Sequence, residues 1–192
     1  MTSHRQQLAI LLRAKSLVRG DFTLSSGKRS SYYLDCKLTT LDPEGALLTG
    51  YCLLELLDEM GLKPDAIGGL SMGADPLVTA AGVVSAIEKR PLAGFLVRKE
   101  AKKHGRQRQI EGLDNLLGKK VVIVDEVCTT GGSTQEAIDA VEREGCQIIA
   151  VISLVDREEG GSDALRANYN YRSLFTAREL LAPSSQPAGS AP

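Results

Sequence analysis

Two carboxylates, Asp125 and Glu126, stand between a run of β-branched residues and a turn of hydroxyls and glycines, in the stretch VVIVDEVCTTGGST at residues 121–134. The Val and Ile run fits a strand buried on both faces of a parallel sheet, and open α/β sheets bind ligands beyond the carboxyl ends of their strands. The acidic pair is therefore expected at such an end, facing a crevice. Thr129, Thr130, Gly131, Gly132 and Ser133 follow. They offer hydroxyl and backbone N–H donors without bulk, and glycine lets several amides turn toward one anion, which makes a phosphate cradle. Ser133 with Glu136 three residues on reads as a capping box, so a helix is expected to begin there, point its positive end at the cradle and stop at Gly145.

Carboxylates beside a phosphate site would repel the ligand, so Asp125 and Glu126 need a different partner. Sugar hydroxyls, or a divalent metal shared with phosphate oxygens, meet that need, and a ribose phosphate satisfies both demands. Other nucleotide signatures fit badly. No Gly-x-Gly-x-x-Gly follows a strand, and five residues separate Gly112 from Gly118, where a Walker loop needs four followed by Gly-Lys-Ser/Thr. Strand, acidic pair and Thr-Thr-Gly-Gly-Ser together resemble the phosphoribosyl pyrophosphate (PRPP) motif of the type I phosphoribosyltransferases.

The elements that must position this motif alternate along the chain. Residues 8–18 read as an amphipathic first helix, and residues 22–24 and 31–34 as a hairpin. Asp42-Pro43 opens a helix that Gly61 stops, and Asp75-Pro76 opens another that reaches about Lys89. Strands are expected at 65–69, 92–97, 120–124 and 148–155. This order implies a mostly parallel sheet with right-handed crossovers, flanked by helices.

Between the strands ending at Val97 and starting at Lys120 lies a charge-rich loop at residues 98–118, which begins RKEAKKHGRQRQIEG and has five Lys and Arg within 98–106. Structureless loops of this length are uncommon in compact domains and tend to be functional lids. This one leaves a strand's carboxyl end, on the ligand side of the sheet, and a flexible cationic lid suits the charge that builds up on departing pyrophosphate.

Composition bounds the rest. The chain has 192 residues and a formal net charge of −1; with a pI near 6.2, it gives no general electrostatic argument for nucleic acid or anionic membranes. We expect one domain at 1–181, with a hood mainly at 15–40 and a core at about 41–175, and a disordered tail at 182–192. Cys36, Cys52, Cys128 and Cys146 lack Cys-x-x-Cys spacing, and only His4 and His104 could join them. Neither a zinc site nor a disulfide framework is indicated, which fits reduced thiols in the cytoplasm. No apolar amino-terminal stretch reads as a signal peptide, and residues 77–87 are too short and interrupted to span a bilayer.

The lid narrows the resemblance. Arg98-Lys99, Lys102 and His104-Gly105 are similar to the catalytic loop of the orotate branch of the family. FTLSSGKRSSYYLDCK at 22–37 is similar to its orotate-side hairpin, and LVDRE at 154–158 to the strand end whose arginine meets the orotate carboxylate. The likeness covers roughly residues 15–175. It implies the type I phosphoribosyltransferase fold, with a small amino-terminal hood and a flexible catalytic loop. It assigns the 5-phosphate to Thr129, Thr130, Gly131, Gly132 and Ser133, with Val127 and Cys128 in the same PRPP motif, and the ribose hydroxyls to Asp125 and Glu126. Arg98, Lys99, Lys102 and His104 would bind pyrophosphate, partly across a homodimer with shared active sites, and Thr129 and Arg157 would hold orotate. Lys102, Asp125 and Glu126 are the implied catalytic residues. Mg²⁺ is the implied cofactor, held mainly through PRPP and not by a dedicated set of protein ligands. The family often carries lysines where this chain has Ser25 and Met72, and Glu126 replaces the commoner aspartate. A phosphoribosyltransferase for another base and a non-catalytic PRPP-sensing regulator are the alternative readings.

Overall fold

In the computed structural model, residues 2–23, 29–100 and 109–183 are described. Helix α1 (His4–Leu11) begins in a capping box between Ser3 and Gln6 and runs into a π-helical turn at Leu12–Ser16. The helix expected to reach residue 18 therefore ends two residues sooner, because Leu17 and Val18 already pair with Leu34 and Tyr33 in the hairpin of β1 (Leu17–Thr23) and β2 (Arg29–Leu34). The hairpin is the expected one with longer arms. Helix α2 (Lys37–Thr40) follows β2 directly. Helix α3 (Pro43–Glu59) starts where Asp42 accepts from the N–H groups of Glu44 and Gly45 at 3.2 and 3.1 Å, with proline at its first position.

From there strands and helices alternate as β3 (Ala66–Leu70), α4 (Asp75–Ile87), β4 (Ala93–Val97), β5 (Ile110–Glu111), β6 (Lys120–Cys128), α5 (Gly132–Arg143), β7 (Gln147–Asp156), α6 (Gly161–Asn168), β8 (Tyr171–Thr176) and α7 (Ala177–Leu181). Strands β3 to β8 form one sheet in the order β5-β4-β3-β6-β7-β8, parallel except for β5. Side chains of β6 alternate between two apolar layers. Val122 and Val124 pack with Leu53, Leu77 and Val84 on one face, and Val121 and Ile123 with Ala137, Ile138 and Phe95 on the other. Full burial of each such side chain stabilises the fold by about 1.5–3 kcal/mol.

Three expectations change here. Strand β6 does not stop before the acidic pair but continues through Asp125 and Glu126 to Cys128, held by β7 along its whole length. Helix α5 begins at Gly132 with Gly131 as its cap, and no side chain caps it. Gly131 sits at φ 78°, in the left-handed region that glycine reaches without steric cost, so the backbone makes the turn that the Ser133–Glu136 box was expected to make. The stretch read as a structureless lid carries β5, which pairs antiparallel with the end of β4. Lys102 and His104 lie outside the described residues, as do Ser25, Lys28 and the tail from residue 184 on.

Candidate active site

The strand order sets the site. The chain passes from β3 outward to β4, then returns to the other side of β3 with β6, so the topological switch lies between β3 and β6. At such a point neighbouring crossovers part and open a crevice at the carboxyl ends. Pairing of β3 with β6 ends at Gly68 and Ile123, and beyond it Asp125 and Glu126 continue on β6 toward that crevice. A cavity of about 370 Å³ occupies it, lined by Lys37, Leu70, Ser71, Met72, Gly73, Lys99, Asp125 and Ser133.

Both carboxylates are buried, Asp125 at 9% and Glu126 at 6% exposure. Asp125 accepts the Thr134 hydroxyl at 2.6 Å and the Glu126 N–H at 2.8 Å. Burial nonetheless lifts its carboxyl above the ordinary value, against those hydrogen bonds. Glu126 is lifted by burial too, with the Lys37 ammonium, paired to Oε2, pulling the other way. Glu126 Oε1 is buried and has no hydrogen-bond partner. An unpaired buried carboxylate oxygen costs free energy that an incoming donor removes, so this atom is set to accept from a ligand.

The turn after β6 is packed as well as bent. A side chain on Gly161 would bring its Cβ within 2.4 Å of the Thr129 carbonyl oxygen, and one on Gly131 would come within 2.9 Å of the Gly161 carbonyl oxygen. Two glycine turns lie back to back, and the Gly161 N–H donates to Thr129 at 3.2 Å. Thr130 and Gly132 are exposed at this turn, and Ser133 faces the cavity. Cys128 does not face it. Its thiol is in the core and its carbonyl accepts from the Arg157 N–H at 2.9 Å, so only backbone links it to the cradle. Val127 is half-buried against the core.

Arg157 sits just past the carboxyl end of β7, two strands from the switch, and is buried at 8% exposure. Its guanidinium lies 4.6 Å from the centroid of the Tyr32 ring, its Nε donates to Glu159 at 2.7 Å and its Nη2 reaches Ser30 Oγ at 3.4 Å. The hood hairpin thus closes over the strand end, and with Nε taken by Glu159 the Nη edge is the one to meet a carboxylate. Of the lid residues, Lys99 lines the cavity, whereas Arg98 turns toward Glu111 at 3.8 Å.

Four participants escaped the sequence reading. Thr134 and Tyr32 lie within the quoted stretches 121–134 and 22–37, but neither they nor Gly161 carry a local signal that sets them apart from ordinary helix, strand and turn residues. Lys37 closes the hairpin segment that had been singled out, but nothing local shows a lysine of a four-residue helix reaching Glu126.

A parallel sheet reversed at β3 and β6, with an acidic strand end opening onto a glycine turn, is the arrangement of the type I phosphoribosyltransferases. The family model for the phosphoribosyl transferase domain matches residues 48–177, which takes in β3 to β8. An orotate phosphoribosyltransferase of Rhodopseudomonas palustris (strain TIE-1) is 43% identical over 184 residues, 94% of this chain and 97% of that protein. The crystal structure of Mycobacterium tuberculosis H37Rv orotate phosphoribosyltransferase in complex with Fe(III) dicitrate superposes with a TM-score of 0.82 at 38% identity, over 93% of this chain and 99% of that one. The same enzyme in complex with PRPP gives a TM-score of 0.77 at 35% identity, over 92% and 98%. The chain belongs to the phosphoribosyltransferase family and, within it, to the orotate phosphoribosyltransferases.

Proposed function

We propose that this chain transfers the phosphoribosyl group of PRPP to N1 of orotate, giving orotidine 5′-phosphate and pyrophosphate on the route to UMP. The observation that carries the reading is the crevice at the β3–β6 switch, where Asp125, Ser133 and Lys99 face one cavity while Arg157 stands at the end of β7.

The 5-phosphate is assigned to residues 129–133, where Gly131 and the start of α5 offer N–H groups and the positive end of the helix dipole. Asp125 and Glu126 accept from the ribose hydroxyls, Glu126 through its unpartnered Oε1. Orotate is assigned to Thr129 and to the Nη edge of Arg157, since a guanidinium matches a carboxylate as a two-pronged donor. As the bond from C1 of the ribose to pyrophosphate breaks and the bond to N1 forms, positive charge grows on the ribose and negative charge on the leaving oxygens. Lys99, with Arg98, Lys102 and His104, is assigned to those oxygens, and Lys102, Asp125 and Glu126 are the proposed catalytic residues.

Mg²⁺ belongs to the same proposal. Among the described residues no three or more His, Cys, Asp or Glu stand together to hold a metal ion. Two buried carboxylates at the cavity supply negative charge that fits a hard cation taking its ligands from phosphate and water. Held mainly through PRPP beside Asp125 and Glu126, Mg²⁺ would supply charge neutralisation at the departing pyrophosphate.

We read the chain as one domain at 1–181, working as a cytoplasmic homodimer. Leu41, Leu47 and Val83, exposed at 68%, 44% and 56%, rim an apolar groove of about 460 Å³ on α3 and α4. Asp75, at the groove's edge, accepts from Ser71 of the crevice turn at 2.9 Å, so a subunit seated here lies beside the crevice. All four cysteines are free thiols, and among the described residues no helix is long and apolar enough to cross a membrane.

The test is orotate consumption followed by ultraviolet absorbance, with PRPP and with or without Mg²⁺. A decrease that requires both is expected. Absence of any decrease overturns the reading, and turnover of another base in place of orotate moves it to that base.

A further inference from the structure

We infer that Lys37 is a diphosphate-binding residue held in reserve on Glu126, which it leaves for the pyrophosphate group of PRPP when the donor binds. The inference rests on the functional reading above for the identity of the donor.

Three observations lead to it. First, Lys37 and Lys99 are the two cationic side chains among the residues lining the crevice cavity, and the side of that cavity formed by Ser71, Met72 and Gly73 brings no charge of its own. That turn is nevertheless against the acidic pair, since a Cβ on Gly73 would lie 3.4 Å from Asp125 Oδ1 and 3.7 Å from Glu126 Cβ. A polyanion lying between the turn and the acids needs a cation there, and Met72, on that wall and 74% exposed, brings none. Second, the two ends of the Lys37–Glu126 pair are unequal. The Glu126 side chain is 8% exposed and the Lys37 side chain 40%. The carboxylate is fixed in the sheet, while the ammonium rides on a flexible four-carbon stem and exchanges one anionic partner for another at little desolvation cost. Third, Glu126 offers one oxygen to Lys37 and keeps the other buried and unpaired. Its site is half filled, and ribose hydroxyls arriving on Oε1 compensate the carboxylate as the ammonium departs.

The backbone holds Lys37 at the right place for this exchange. The Asp35 N–H donates to the Ser16 carbonyl at 3.0 Å, and the Lys37 N–H to Asp35 Oδ1 at 3.1 Å. The root of the side chain is thereby fixed between the hood and α2 while its tip is free to move. In the empty protein the ammonium keeps two adjacent buried acids from facing each other uncompensated. In the complex it supplies the positive charge that the Met72 turn lacks.

Calorimetric titration of the full chain with PRPP, with pyrophosphate and with ribose 5-phosphate, all in the presence of Mg²⁺, tests the inference. Lys37→Ala is expected to weaken PRPP and pyrophosphate by about 10- to 100-fold, the range for losing one charge-assisted hydrogen bond, and to leave ribose 5-phosphate within about threefold. Lys37→Arg should stay within about threefold of wild type for all three. Adding Met72→Lys to Lys37→Ala places a cation on the other wall of the same cavity and should restore at least tenfold of any larger loss, and most of a smaller one. Where Lys37→Ala does not fold, Lys37→Gln carries the same expectation. Unchanged pyrophosphate affinity in the variant, or an equal loss for ribose 5-phosphate, overturns the role of Lys37 while leaving the donor intact. Wild-type protein that binds no PRPP overturns the functional reading itself and this inference with it.

Discussion

Thr134 donates its hydroxyl to Asp125 Oδ2 at 2.6 Å with both residues buried, so the first turn of α5 helps hold the charge of the strand before it. Removing the donor strands a carboxylate oxygen in the core. Thr134→Val is expected to cost about 1–3 kcal/mol of stability at neutral pH, the penalty for a buried polar group left unpaired. The hydrogen bond lowers the Asp125 pKa, so its loss raises that value further. The deficit should therefore shrink as acid protonates Asp125, and urea denaturation at several pH values reads it directly.

Stability and donor binding should respond to pH in opposite directions. Burial raises the carboxyls of Asp125 and Glu126 above their ordinary values of 3.8 and 4.5. A raised folded-state pKa contributes stability that is fully present below the unfolded value and lost as pH rises through the folded one. The free protein thus loses this contribution on going from acid to neutral pH. PRPP needs ionised acceptors for its hydroxyls, so its affinity should fall as pH drops through the same raised range. Asp125→Asn should remove that residue's share of the stability trend and weaken PRPP at every pH. Calorimetry and thermal melts across the range check both, and PRPP affinity in wild type that ignores pH there would count against the assignment of the pair.

Arg157 should matter for orotate and not for PRPP. Its guanidinium lies over Tyr32, and its Nε is taken by Glu159. Arg157→Leu is expected to raise KM for orotate by at least about 30-fold, consistent with about 2 kcal/mol or more for truncating a buried charged partner, with KM for PRPP changed little. Arg157→Lys should rescue poorly, because a point charge lacks the planar fork. Equal effects on both substrates would place Arg157 in the scaffold.

Lys102 carries the largest single expectation for turnover. Lys102→Ala should lower kcat by about two to three orders of magnitude, as for losing one well-aimed donor at developing charge, with a smaller effect on orotate binding. Near wild-type turnover in the purified variant would remove Lys102 from the proposed catalytic set.

The groove of α3 and α4 should carry the subunit contact. Leu47→Glu and Val83→Glu place charge on side chains that are 44% and 56% exposed in the single chain. Sedimentation should show a wild-type dimer and monomeric variants with intact melting profiles. A wild-type monomer, or variants that stay dimeric, would move the interface elsewhere.

Local pattern made much of this protein legible. The apolar runs at 66–70 and 93–97 and the β-branched run at 121–124 form strands because their side chains pack against the layers on the two faces of the sheet, and Asp42-Pro43 starts α3 because cap and first turn are contiguous in the chain. The acidic pair and the glycine turn were recognisable for the same reason, since β6, turn and α5 form one unbroken segment. Even there the cap departs from the local pattern. Ser133 and Glu136 make a familiar pattern, but close packing of Gly131 on Gly161 sets the turn through the backbone instead.

The sequence by itself determined the chemistry on offer, carboxylates and small donors at the end of a buried strand with cations nearby. Only the tertiary structure decided which groups meet. Lys37 reaches Glu126 across 89 positions, and Arg157 reaches Ser30 across 127. Those distances close because the strand order reverses between β3 and β6 and the hood folds back over β7, and such arrangements come from packing whole layers together. Periodicity reports which face of an element is apolar, but not which distant side chain will stand opposite its polar end.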